Sequence, residues 1–156
     1  MLSVEGLSCV VADEKYLIFI NEIYNENIDS LHGVSKSYDE WKKLIGETNA
    51  IYYIVSADEP VAWFRLDLME DELWLGLLLV KPIYQRKGVG KYVLSLIESI
   101  AREKGLKKIG IHATEDNIAA KSLYLSSGYK IVETSECTTG DGKERMGYTF
   151  EKNIND

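Results

Sequence analysis

Two segments near the N-terminus carry apolar residues at the three- and four-residue spacing of an amphipathic helix. They cover residues 13 to about 24 and 37 to about 45, and in the second Trp41, Leu44 and Ile45 fall on one face. A polar stretch separates the two segments. The pattern therefore predicts two helices in the first third of the chain, each burying one face.

Three runs rich in β-branched and aromatic residues follow in close succession: Ala50–Ser56, 61–68 and 73–80. The polar stretches between these runs are short enough for hairpins. We therefore expect three consecutive antiparallel strands.

After Pro82 the pattern alternates between helical and extended segments. Asp116 is the expected N-cap of the second of these helices. The predicted order is helix 89–104, strand 108–113, helix 117–127, strand 129–134 and strand 145–151. The whole pattern predicts an α+β fold with a mixed sheet.

The chain has 156 residues, of which 46% are hydrophobic and 28% charged, so it can bury a core of its own. We expect one domain over residues 1–156. The formal net charge of −7 argues against nucleic acid as a partner, because phosphate binding needs a basic surface, and it favours a cationic substrate. Cys9 and Cys137 fit no metal-ligand spacing, so we expect free thiols and no metal. Without a signal sequence or a membrane-length apolar run, we expect a cytoplasmic protein with no membrane partner.

The stretch 80–91, with the sequence VKPIYQRKGVGK, carries the most chemical information. An apolar strand runs into a basic turn that contains Gly88 and Gly90 and opens a long helix. The free N–H groups and the positive dipole of such a helix start bind anions, and glycines let a phosphate approach. The alternative is that these glycines serve tight turn geometry only. The spacing matches neither a P-loop nor a dinucleotide-binding loop.

Two motifs together resemble the GNAT superfamily of N-acetyltransferases. The segment 80–90 is similar to that family's acetyl-CoA loop, and the segment 117–129, with the pattern N-x-x-A-x-x-L-Y-x-x-x-G-Y, is similar to a second motif of the family at the family's spacing. The resemblance implies a mostly antiparallel central sheet with one splayed parallel pair, flanked by helices, and acetyl-CoA as co-substrate. It covers about residues 50–150.

The resemblance also implies which residues contact acetyl-CoA. Main-chain groups of the strand would bind the pantetheine arm, the loop would wrap the pyrophosphate, and Asn117 would lie near the pantetheine. The main-chain N–H near Leu78 would stabilise the oxyanion. The expected cofactor-binding residues are Leu78, Leu79, Val80, Gln85, Arg86, Lys87, Gly88, Val89, Gly90, Lys91, Asn117 and Tyr124.

Acetyl transfer to an amine needs an acid for the leaving thiolate and a base for the amine proton. Tyr124 occupies the position of the family's acid; the alternative is a core tyrosine. Some relatives place a Glu where this chain has Trp74, which puts a base on that strand in doubt. A second location of the base in relatives matches His112, so the resemblance implies that His112 or a water relay accepts the amine proton. The alternative for His112 is a sheet-surface histidine outside the chemistry.

Acid and aromatic residues are expected to line the acceptor pocket, by analogy with relatives, and would suit a cationic amine or a lysine side chain. They are Glu22, Tyr24, Glu26, Asp29, Tyr38, Trp41, Glu136, Asp141 and Glu144, whereas Cys137 on the same loop is expected to be incidental. The alternative is that most of these residues are ordinary solvated charges and core aromatics. The predicted function is acetyl transfer to a primary amine by direct attack in a ternary complex. The alternatives are a different acyl group and a non-catalytic acyl-CoA sensor. An exposed C-terminal strand edge with Tyr148 and Phe150 suggests a homodimer.

Overall fold

Seven strands and five helices make up the part of the chain that the computed structural model describes, residues 6–154. The strands are β1 (Ser8–Val11), β2 (Ala50–Ser56), β3 (Pro60–Leu68), β4 (Glu72–Val80), β5 (Lys108–Thr114), β6 (Lys130–Thr138) and β7 (Glu144–Asn153). The helices are α1 (Leu17–Glu26), α2 (Ile28–Leu31), α3 (Tyr38–Ile45), α4 (Val89–Glu103) and α5 (Ile118–Ser126). Two short 3₁₀ turns, Glu14–Tyr16 and Pro82–Tyr84, precede α1 and α4.

The predicted elements are present, with two additions and one shortened helix. Strand β1 and the single-turn helix α2 are too short to leave a periodic signal, and β1 forms because it pairs with β2. Helix α1 starts at Leu17 rather than at residue 13. Asp13 instead caps the 3₁₀ turn before it, accepting a 3.1 Å hydrogen bond from the N–H of Lys15.

All seven strands lie in one sheet of order β1-β2-β3-β4-β5-β7-β6. Every neighbouring pair is antiparallel except β4 and β5, which are parallel. This confirms the expected mixed sheet with one parallel pair.

The expectation of an exposed edge at Tyr148 and Phe150 was wrong. Both residues belong to β7, which pairs with β5 on one side and with β6 on the other, and Phe150 has no exposed surface. The last strand of the chain is inserted into the sheet, so the free edge at this end is β6. The homodimer stays a prediction, and an edge-to-edge contact would have to use β6 or β1.

Two apolar clusters lie on opposite faces of the sheet. On one face, which we call the α4 face, α4 and α5 pack over residues such as Phe64, Ile111 and Phe150. On the other, the α1 face, α1 and α3 pack over Tyr52, Ile54, Trp63 and Leu79. Alternation along each strand decides which side chains enter which cluster.

A β-bulge at Gly76 reverses this alternation in the middle of β4. Leu66 of β3 pairs with Leu75, whereas Arg65 pairs with Leu77, so Gly76 is the extra residue. Leu73 and Leu75 therefore belong to the α4-face cluster before the bulge, and Leu78 and Val80 contact the same cluster after it. Leu77 and Leu79 point to the α1 face instead.

Candidate active site

The parallel strands β4 and β5 separate part of the way along their length. Their pairing covers Glu72–Leu75 against Lys108–Ile111 and ends there. Beyond that point β4 continues to Val80, paired only with β3, and β5 continues to Thr114, paired only with β7. The β5-facing edge of residues 76–80 therefore offers main-chain N–H and C=O groups that no neighbouring strand uses.

The turn after β4 leads directly to the start of α4. Gly88 is the N-cap residue of that helix, with a φ of +92°, and a Cβ placed there would have no heavy atom within 4 Å. The next residue, Val89, is buried and anchors the helix to the sheet. Arg86, Lys87 and Lys91 are exposed around this turn. An exposed helix start with added cationic side chains is a suitable site for a pyrophosphate.

The side chain of Gln85 faces away from the helix start. Its Nε2 donates to the carbonyl oxygen of Val80 at 3.1 Å and to Oδ1 of Asn27 at 3.2 Å. Asn27 in turn donates from Nδ2 to the same Val80 carbonyl at 3.2 Å. Gln85 therefore links the loop to α1, so the loop's contribution to a pyrophosphate site falls to its main chain and to the residues that follow Gln85.

Tyr124 lies on the inner face of α5, in the α4-face cluster. Its ring makes an edge contact with Phe150 at 5.3 Å and a tilted contact with Tyr129 at 6.2 Å, and the residue is 7% exposed. Burial raises the pKa of Tyr124 to about 12. Its phenol is therefore protonated at neutral pH.

The predicted N-cap of α5, Asp116, was wrong by one residue. The cap is Asn117, whose Oδ1 accepts a 3.2 Å hydrogen bond from the N–H of Ala120. Asp116 is engaged elsewhere: it accepts a 2.7 Å bond from Thr114 Oγ1 and lies 2.7 Å from Nε2 of His32. The hydrogen bond from Thr114, followed by the one from His32, holds the pKa of Asp116 below its usual range.

His112 is exposed on the α1 face of β5. Its neighbours Ile111 and Ala113 are buried in the α4-face cluster, so alternation points the imidazole to the opposite side. The ring lies over Gly147 of β7, where a Cβ would come within 2.6 Å of His112 Nε2 and 3.1 Å of Cys137 Sγ. The absence of a side chain at position 147 thus makes room for the imidazole.

Tyr124 and His112 therefore lie on opposite faces of the sheet. The gap between the diverging ends of β4 and β5 connects the two faces of the sheet. A phenol on one side and an imidazole on the other suit a reaction in which one substrate enters from each face.

Trp74 lies on the α1 face before the bulge. Its ring covers Gly110 of β5, where a Cβ would come within 2.7 Å of the indole, and its Nε1 donates to Glu72 at 2.9 Å. The indole therefore fills the space that a strand-borne carboxylate would need.

Two of the expected acceptor-pocket aromatics are core residues. Trp41 is 1% and Tyr24 5% exposed, and their rings meet edge to face at 5.0 Å in the α1-face cluster. Tyr38 is 52% exposed. Of the expected acidic residues, Glu22, Glu26, Asp29, Glu136 and Glu144 are exposed. The periodicity of helices and strands does not by itself distinguish an aromatic residue that is buried in the core from one that would line a pocket.

Asp141 is held within the β6–β7 hairpin. It accepts hydrogen bonds from Thr139 Oγ1 at 2.6 Å, from Arg145 Nη2 at 2.9 Å and from the N–H of Lys143 at 3.1 Å. These bonds, with that from Thr139 foremost, hold the pKa of Asp141 well below its ordinary value. The carboxylate therefore shapes the hairpin that flanks the site.

Sequence reasoning missed four residues at this site: Gly76, Asn27, His32 and Asp116 in its observed role. An isolated glycine inside a strand pattern is a known signal of a bulge, so Gly76 could have been found. The other three make contacts between distant parts of the chain, for which the sequence carries no local signal.

Within residues 6–154, no group of three or more His, Cys, Asp or Glu side chains is arranged to hold a metal ion. Over the same residues, no helix combines the length and the apolar character that crossing a membrane requires.

Comparison with known proteins agrees with this geometry. The model of the acetyltransferase (GNAT) family matches residues 18–129. A spermidine N(1)-acetyltransferase from Thermoplasma acidophilum is 26% identical over 141 residues, covering 85% of this chain and 88% of that protein.

Solved structures share the fold at lower identity. The spermidine N-acetyltransferase from Vibrio cholerae, in complex with CoA and spermine, superposes with a TM-score of 0.83 at 17% identity, covering 96% of each chain. The ribosomal-protein-S18-alanine N-acetyltransferase from Escherichia coli gives a TM-score of 0.77 at 19% identity, covering 96% of this chain and 95% of that one. With the family model matched over most of its length, the chain belongs to the GNAT family and is an acetyl-CoA-dependent N-acetyltransferase.

Proposed function

We propose that this enzyme transfers acetyl from acetyl-CoA to a cationic primary amine by direct attack in a ternary complex. The observation that carries the proposal is the separation of β4 and β5 beside the exposed start of α4. An unpaired strand edge fits the amide-containing pantetheine arm, and the helix start fits the pyrophosphate. Acetyl-CoA supplies the activated thioester.

The cofactor side of the proposed site is mostly main chain. Residues Leu78, Leu79 and Val80 would bind the pantetheine through main-chain groups, with the N–H of Leu78 as the oxyanion donor. Because the carbonyl of Val80 already accepts from Asn27 and Gln85, Val80 would contribute its N–H. The turn from Arg86 to Lys91 would hold the pyrophosphate. Since Oδ1 of Asn117 is used in capping α5, its Nδ2 group is the part available to the pantetheine arm.

Tyr124 is the proposed acid. Its raised pKa, about 12, keeps the proton on the phenol until a thiolate forms beside it. A neutral phenol stabilises the thiolate by a charge-assisted hydrogen bond and can pass its proton to the sulfur.

His112 is the proposed base. It lies on the α1 face, the side from which the amine would approach, and an imidazole can take the ammonium proton directly or through water. Trp74 leaves no carboxylate at the alternative position on β4, which supports this assignment.

A cationic acceptor is supported by charge. The chain carries a net charge of −7, and Glu22, Glu26 and Asp29 are exposed on α1 and α2. Of the proteins named above, two are spermidine N-acetyltransferases and one is a ribosomal-protein-S18-alanine N-acetyltransferase. Polyamines are therefore the first acceptors to test, and peptide amines the second.

The test is a thiol-release assay with acetyl-CoA and a panel of polyamines, aminoglycosides, amino acids and peptides. Tyr124→Phe should lower kcat by about 100-fold while the Kd for acetyl-CoA stays the same, because only the acid is removed. Tyr129→Phe is the matched control. Its hydroxyl is buried with no hydrogen-bond partner, so its removal should leave kcat almost unchanged.

Equal effects of the two substitutions would contradict the role of Tyr124. If acetyl-CoA binds but no amine in the panel releases CoA, the proposed acceptor class is wrong.

A further inference from the structure

Helix α2 connects the ends of the two separating strands. Asn27, immediately before it, donates a hydrogen bond to the carbonyl of Val80, the last residue of β4. His32, immediately after it, lies 2.7 Å from the carboxylate of Asp116, two residues past the end of β5. We call residues 27–32 the strap.

The length of the strap suits this position. Its single helical turn and the two side chains that anchor it reach from the end of β4 to the segment that follows β5. The strap therefore bridges the two strands at the end where they have separated.

Each end of the strap has further support. At the first end, the Asn27 side chain is fully used: Nδ2 also donates to the carbonyl of Ile23, and Oδ1 accepts from Gln85 of the cofactor loop. At the second end, His32 adopts a left-handed conformation with a φ of +53°, and its carbonyl accepts a 2.8 Å hydrogen bond from the N–H of Asp141.

The His32–Asp116 contact is partly shielded from solvent. The His32 side chain is 16% exposed, and Asp116 is oriented by the second bond from Thr114. Because Asp116 is a hydrogen-bond acceptor when ionised, Nε2 of His32 is the donor in this contact. The pair joins parts of the chain that are 84 residues apart.

We propose that the strap is a positioning element of the acceptor side, with His32 and Asn27 as its two anchoring residues. This rests on the proposed function, since it assigns the strap to the mouth of the same site. The His32 anchor fixes the wall past which the amine approaches. The Asn27 anchor connects that wall to the cofactor loop through Gln85.

His32→Asn tests the first anchor. Asparagine tolerates the left-handed conformation but is too short to reach Asp116. We expect the KM for the amine to rise about 10-fold, with kcat and the Kd for acetyl-CoA within about 2-fold, because the loss affects substrate positioning alone.

Two further variants separate positioning from general destabilisation. Asp116→Asn keeps an acceptor oxygen for Nε2 of His32 and should retain most of the wild-type amine affinity. Thr114→Val removes the bond that orients Asp116 but leaves the His32 contact in place, so it should raise the amine KM less than His32→Asn does. Asn27→Ala should instead weaken acetyl-CoA binding, by about 5-fold, because Gln85 loses a partner.

Hydrogen exchange gives a readout that does not depend on catalysis. The amides of Leu31, His32 and Gly33 are bonded within the strap region and should exchange faster in His32→Asn than in the wild type. If these amides exchange faster in His32→Asn but the amine KM is unchanged, the strap does not position the amine. If their exchange is unchanged in His32→Asn, the His32 contact does not anchor the strap. A wild-type chain that acetylates no amine would contradict the proposed function, while exchange still decides whether His32 anchors the strap.

Discussion

At the scale of single residues, strand alternation explains why Tyr124 and His112 lie on opposite faces of the sheet. The side chains around His112 on β5 point into the α4-face cluster with Tyr124, so His112 itself must point away. A one-residue shift of β5 would bury the imidazole and expose Ile111. The register of β5 against β7 fixes this choice.

If His112 is the base, His112→Gln should lower kcat by about 100-fold, with the KM for acetyl-CoA almost unchanged. Steady-state kinetics of the wild type and the variant measures both parameters.

Cys137→Ser is the control for this prediction. Its thiol also lies beside Gly147, so the variant perturbs the same surface without removing the imidazole. A similar loss of kcat in Cys137→Ser would point to local geometry rather than to proton transfer.

At the scale of elements, the turn from β4 to α4 contains two residues in a left-handed conformation, Arg86 with a φ of +61° and Gly88. Gly88 has a φ of +92°, which an L residue adopts at a cost of about 1–2 kcal/mol. Nothing crowds the position, so the requirement is conformational and not steric. The open space above it is where a phosphate would approach.

Gly88→Ala should lower the free energy of unfolding by about 1 kcal/mol and also weaken acetyl-CoA binding. Gly142→Ala is a matched control, because Gly142 has a φ of +82° and equally open surroundings but lies in the β6–β7 hairpin. Urea unfolding should show similar losses for both variants, whereas calorimetry should show weaker acetyl-CoA binding only for Gly88→Ala. Equal binding by both would exclude this turn as the pyrophosphate site.

At the scale of the whole molecule, the sheet is covered by a separate core on each face. The α1-face core is built around aromatic rings: Trp41 contacts Trp63 edge to face at 5.8 Å, and Trp63 contacts Tyr52 at 5.6 Å. The indole N–H groups are satisfied, by Asn21 for Trp41 and by the carbonyl of Ile20 for Trp63. This core holds α1, and hence the strap, against the sheet.

Trp41→Ala should lower the free energy of unfolding by about 3–5 kcal/mol, because it leaves a cavity in that core. Tyr38, on the same helix, is 52% exposed. Apart from the change in helix propensity, Tyr38→Ala should lower the free energy of unfolding by less than about 0.5 kcal/mol. Chemical denaturation of both variants measures the difference. A small effect at Trp41 would mean that α3 is not part of the core and that Trp41 is available to a ligand.

The sequence by itself determined the local features of this protein. The spacing of hydrophobic residues predicted the longer helices and strands, and turn residues predicted the glycine-containing start of α4. Both signals depend on residues that lie close together in the sequence. The same locality made the resemblance of residues 80–90 to an acetyl-CoA loop recognisable. Gly76 belongs to this class as well, since an isolated glycine in a strand pattern indicates a bulge.

Only the tertiary structure decided which distant residues meet. The insertion of β7 between β5 and β6, the burial of Trp41, and the contacts of Asn27 with Val80 and of His32 with Asp116 join segments that no local pattern relates. Such contacts depend on the packing of whole faces against one another, which is settled by the sum of many weak interactions across the fold. For that reason the sequence indicated a glycine-containing loop at the start of a helix, whereas the strap and its two anchoring contacts became visible only in three dimensions.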